Sequence, residues 1–218
     1  MSQAMMSRNT ELINRMFVQT SAQLDIVCRR NRERGWDFRK KDFAARGEPP
    51  AWPSDRLSAV VLDVSLDTVE KTFDEAWRCA MSVQKNDWRS DKIGYDAGHV
   101  RLLPGITHKR GLRWRVIDLG ANWNRRTGIS PADVRNAKTS PHSAILWAAS
   151  YFPKWVREMD GVTVPHVWIP GYQLNVASSD DWSETPCLYW CHSKSSVGLL
   201  TIDANDESTW WAVPEFRA

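Results

Sequence analysis

Asp118, Asn122, Asn124, Arg125 and Arg126 crowd into the run VIDLGANWNRR. A carboxylate closing an apolar run, then a glycine turn and a loop carrying two amides and two guanidinium groups, is a setting in which sites are built. If the run around His99 pairs with it as a hairpin, Asp118 and His99 become a carboxylate–imidazole pair able to move a proton. Arg125 would then hold an anionic substrate. The same residues also make an ordinary turn, with Asn122 and Asn124 accepting its geometry and Asp118 bonding loop amides.

A second group, Arg135, Lys138, Thr139, Ser140 and His142, gathers at the start of a helix. Free amides and the helix dipole favour negative charge there, so the group suits an anion; the same side chains also serve as helix caps. A third group lies in RRNRERGWDFRKKDF, where Arg29, Arg30, Arg32, Arg34, Arg39, Lys40 and Lys41 surround Trp36 and Phe38. Cations interleaved with aromatics suit phosphate contact and base stacking. The other reading has both rings tucked onto the body while Glu33, Asp37 and Asp42 pair locally.

Cys187, Cys191 and His192 have the residue types of a metal site but the wrong spacing. In an extended PCLYWCH the two cysteines stand about 13 Å apart, whereas thiolates sharing one zinc lie within about 4 Å of each other. No metal and no organic cofactor is therefore expected. Gly-x-Ser-x-Gly, His-Glu-x-x-His, a phosphate-binding glycine loop and a dinucleotide fingerprint do not occur. The run DANDES lacks the glycine of a calcium loop and reads as a hairpin turn.

These groups must be positioned by a few strongly patterned elements. Residues 140–160 read as one helix, started by Ser140-Pro141, apolar around most of its circumference and covered by the C-terminal strands. Residues 67–83 repeat apolar side chains at helical spacing, with Asp67 and Glu70 as a reciprocal cap. A first helix runs from Thr10 to about Arg32. LSAVVLDV is a buried strand, residues 99–103 and 112–119 are two strands, and Ser130-Pro131 starts a short helix. On the second of those strands Arg113 and Arg115 precede Ile117 and Leu119 along one face, wet at its start and dry at its end. Beyond Gly161 come five short strand-like runs, the pattern of an antiparallel meander.

The runs HVRLLPG, LRWRVIDLGANW, SPADVRN, SPHSAILWAASYFPKWVREMDG, VPHVWIPGYQL and WAVPEFR resemble a Trp-rich family of uncharacterised proteins from small bacterial genomes. The resemblance covers residues from about 99 onward and implies a compact domain, without an activity, a cofactor or a catalytic residue.

Composition agrees with a globular chain: 42% hydrophobic, 25% charged and 13 Trp among 218 residues. Trp buries large areas and needs one partner, so most of these rings belong to the core. The net charge of +3 is uneven, because residues 1–48 hold 10 Lys+Arg against 6 Asp+Glu and the rest 19 against 20. No stretch reaches the length of a membrane helix, the first residues lack an apolar export core, and four scattered cysteines fit a reducing compartment, so the cytoplasm is expected.

The expectation is α+β: helices packed on one face of a largely antiparallel sheet, with a basic helical arm over 1–47 and a single domain over 48–218. The function expected is binding, of nucleic acid or another phosphorylated or anionic ligand. The alternatives are a small cofactor-independent hydrolase or transferase using Asp118 and His99, and a structural or assembly protein.

Overall fold

The computed structural model describes residues 20–51, 58–84, 86–90, 93, 98–118, 128–161, 164–175, 182–207 and 210–216. Asn122, Asn124, Arg125 and Arg126, with the start of the first helix, lie outside them. The α+β class is what forms, but the strands divide into two sheets. The smaller has the order β1 (Ser58–Ser65), β4 (Gly111–Asp118), β10 (Glu215–Phe216), all antiparallel. The larger runs β2 (Asp87–Arg89), β8 (Ser196–Asp203), β7 (Glu184–Cys191), β5 (His166–Trp168), β9 (Trp211–Ala212). To it β3 (Val100–Leu102) is added through β6 (Tyr172–Leu174). β2 runs parallel to β8 and β5 to β9, so the C-terminal strands are not a simple meander. DANDES follows β8, whose partner β7 precedes it, so it joins no hairpin.

The 67–83 pattern becomes α3 (Val69–Met81), after α1 (Thr20–Arg34) and α2 (Lys40–Ala45). Its cap is Thr68, which accepts from the Lys71 amide; Asp67 instead pairs with Lys71 and Arg110. Ser130 caps α4 (Pro131–Val134) as expected. The long apolar helix is two helices, α5 (Ser143–Tyr151) and α6 (Pro153–Arg157). Pro153 lacks an amide proton and excludes helical geometry from Phe152, which breaks the rod at φ −119°, ψ 61°. Its cap is His142, while Ser140 accepts from the Asn136 amide one turn earlier.

α5 is covered mainly by α3 and β1 rather than by the C-terminal strands, and α6 meets those strands at β7. α3 meets β1 of the smaller sheet and β3 of the larger, so it bridges the two. Every residue of β1 is buried, although β4 pairs only one of its edges. Side chains satisfy the other edge. Gln23 of α1 donates to Val60 O (2.8 Å) and accepts from Leu62 N (3.0 Å), as a neighbouring strand would. Tyr151 donates to Leu62 O and Trp147 to Val64 O, each at 2.8 Å. A sheet edge is thus covered by helices whose side chains pair four of its backbone groups.

The larger sheet carries an aromatic row on its outer face. Trp88, Gly198, Tyr189, His166 and Trp211 are neighbours across five strands, with ring centroids 4.9–6.4 Å apart. The exposed large hydrophobics among the described residues are Trp88 and Trp210, at 38% and 55%. Burial pushes the His166 imidazole from 6.5 down to about 4, with Asp160 opposing and His192 adding to it. A depressed imidazole stabilises the fold above the unfolded value and loses that contribution as pH falls through the folded one. Thermal stability is therefore expected to drop between pH 6.5 and 4, and His166→Gln to flatten the drop in melts taken across that range. An equally steep drop in the variant would count against this origin.

Candidate anion-binding cleft

β4 and β1 pair in a register that sets Arg113 opposite Asp63 and Arg115 opposite Val61. The long β3–β4 connection then folds back over the end of β1. His108 donates Nε2–H to Leu66 O at 2.8 Å, and Arg110 bonds Asp67 and Trp36 O, each at 2.8 Å, while lying over the Phe38 ring. These ties hold Lys109 beside Arg113, whose guanidinium donates to the Lys109 carbonyl at 2.9 Å. Across from them the turn before α5 is closed by Asn136, whose carbonyl accepts from Thr139 N and Ser140 N and whose side chain accepts from Lys138 N. Phe216 of β10 donates its amide to Thr139 O at 2.6 Å and stands as an aromatic wall, with Arg115 over its ring.

Between these segments lies a cleft of about 320 Å³, lined by Lys109, Arg113, Arg115 and Lys138, by His108 and His142, and by the hydroxyl residues Ser65, Thr107 and Ser140. Among the described residues no Asp or Glu lines it. Buried Asp63, opposite Arg113 across the sheet, accepts from Ser143 Oγ at 2.7 Å through its Oδ1. A larger cleft of about 500 Å³ makes the contrast. There Asp37, Asp67, Asp74 and Glu75 face Arg34, Lys71, Arg78 and Arg110, and most pair among themselves: Arg110 and Lys71 on Asp67, Arg34 and Arg78 on Glu75. One cleft neutralises itself. The other does not.

Of the expected anion-site residues, Lys138, Ser140 and His142 meet in the cationic cleft. Arg135 does not; it donates to Thr185 Oγ1 and to Tyr172 O, and burial pushes its guanidinium down to about 10, against the pull of Asp203. His99 immediately precedes β3 of the larger sheet and Asp118 ends β4 of the smaller, so the hairpin that would join them does not form. The carboxylate beside His99 is Asp74, at 3.6 Å, which Arg89 also contacts at 2.8 Å. Burial works to raise the Asp74 carboxyl, but bonds from His99 and Arg89 outweigh it and hold it below its ordinary value. Asp118 is buried at the end of β4 opposite Ser58 and Glu215.

The basic segment follows its second reading. Trp36 and Phe38 are 8% and 5% exposed, and Trp36 packs edge-on against Trp147 at 5.6 Å. Arg29 and Arg30 pair with Glu33, Arg34 with Glu75 and Arg39 with Asp37, which leaves Arg32, Lys40 and Lys41 as exposed cations with no ion pair to another of the described residues. Cys187 and Cys191 lie on one strand, and among the described residues no three His, Cys, Asp or Glu gather as metal ligands.

No family model matches this chain, and no curated protein or solved structure does. The cleft must be read on its own chemistry. Sequence reasoning missed Lys109, His108 and Phe216 altogether. Arg113 and Arg115 were visible as the wet half of an alternating strand, a signal for a charged concavity once β4 is known to be the central strand.

Proposed function

We propose that this protein binds a small phosphorylated ligand in the cationic cleft and does so without chemistry. The supporting observation is four Lys/Arg side chains around about 320 Å³ with no carboxylate among the described lining residues. That size suits a ligand of nucleotide dimensions. Guanidinium groups on a rigid strand hold phosphate by paired, charge-assisted bonds. Because Trp36 and Phe38 are buried, no exposed rings accompany the basic segment, and the ligand is read as small rather than as a nucleic-acid strand. His99 and Asp74 are tied to Arg89, so no acid–base pair is assigned. Among the described residues no helix is long and apolar enough to cross a membrane, and the four cysteines are free, which fits the expected reducing compartment.

Calorimetric titration with inorganic pyrophosphate and with a nucleoside triphosphate at low salt tests this. Saturable binding that weakens with salt is expected, with Arg115→Ala about tenfold weaker, the effect of one charge-assisted bond. Arg32→Ala should bind as the parent does. Absence of binding to either compound, or tighter binding to a single-stranded oligonucleotide that Arg32→Ala weakens, would overturn the proposal.

A further inference from the structure

We propose, on the reading just given, that His142 meets the ligand as an uncharged Nε2–H donor, so that the cleft selects a fully ionised phosphate monoester dianion. The hydrogen bonds around the ring fix this role. Ser143 N donates to His142 Nδ1 at 2.8 Å, and Ser143 Oγ, 2.9 Å from that nitrogen, gives its proton to Asp63 Oδ1. Nδ1 is therefore an acceptor, and the ring's single proton is on Nε2. Among the described residues the side-chain hydrogen bonds of His142 run through Nδ1, and the residue lines the cleft.

Protonating the ring would break the bond from Ser143 N and add a charge beside four others. The groups around it are Asp63 on β1, Arg113 and Arg115 on β4, His108 on the β3–β4 connection, Lys138 before α5, Tyr172 on β6 and Phe216 on β10. Burial lowers the imidazole, Asp63 opposes this, and Arg115, His108 and Arg113 reinforce it. A site built of cations and this donor rewards an anion with two charges and no proton of its own to place. A phosphate monoester reaches that state above its second ionisation near pH 6, roughly.

Phenyl phosphate and phenyl sulfate separate the possibilities, since the sulfate keeps one charge throughout. Affinities measured by calorimetry between pH 5 and 8 should rise about tenfold with pH for the phosphate and stay level for the sulfate. His142→Asn keeps a side-chain oxygen for the Ser143 amide, but its amide nitrogen stops short of the Nε2 position. It should bind phenyl phosphate about tenfold more weakly with an unchanged melting temperature.

Wild-type affinity in the asparagine variant would overturn the inference, as would a sulfate affinity that climbs toward acid and ceases to do so in the variant. Equal affinity for the two esters at pH 8 would also overturn it while leaving the cleft reading in place. Binding of neither ester, pyrophosphate or nucleotide would sink both.

Discussion

Replacing Gln23 with alanine is expected to cost about 2–5 kcal/mol of unfolding free energy, because it strips two buried backbone groups of their partners. The side chain is fully buried and serves Val60 O and Leu62 N on the unpaired edge of β1. Neither group can turn to water, since all of β1 is covered. Gln23→Met fills the same space without either bond and should cost nearly as much, which separates lost hydrogen bonding from lost volume. Urea unfolding of the two variants makes the measurement. A midpoint within error of the parent would mean that α1 is an appendage after all. The described part of the basic segment is otherwise part of the body, through Val27 and Trp36 as well as Gln23.

Gly171→Ala is the second large effect, about 3 kcal/mol, at the upper end of what overpacking usually costs. A Cβ there would stand 2.7 Å from Pro141 O and 2.9 Å from Ser140 O, both backbone atoms at the turn leading into α5. The Gly171 amide also donates to Pro141 O, so the two chains cannot part without losing a bond. Because Ser140 and His142 line the cationic cleft, whatever fraction stays folded should bind phosphate more weakly. Gly161→Ala offers the comparison. Its backbone has φ +74°, and the clash is with the exposed ring of Trp210, a side chain rather than backbone. Only the left-handed backbone then counts, about 1 kcal/mol. Thermal unfolding that ranks the two the other way would show the Ser140–Pro141 turn to be freely adjustable.

Local pattern made part of this architecture readable in advance. β1 is a short valine-rich run, α3 repeats Phe73, Ala76 and Ala80 at helical spacing, and Ser130-Pro131 carries its own start signal. The break at Phe152 was written in Pro153 and overlooked because the apolar periodicity continues across it. Strand partnership was not readable. β3 and β4 are near in sequence, but β4 is claimed by β1, whose eight residues match it throughout, and β3 is left to β6. The cleft was half readable for the same reason: Lys138, Ser140 and His142 are local to one turn, whereas Lys109, Arg113 and Arg115 reach them only through the β1–β4 register, and Phe216 only through β10.

The side-chain closure of β1 also has a cost in time. On the ribosome α1 emerges before β1, so Gln23 can shield Val60 and Leu62 at once, but Tyr151 and Trp147 are made more than 80 residues after the carbonyls they serve. Until then a nascent, valine-rich ribbon offers bare carbonyls to any other ribbon nearby, the usual seed of intermolecular aggregates. Slower synthesis at low temperature, or a chaperone that shields extended segments, should raise the soluble yield of this protein more than that of one whose sheet edges are closed early.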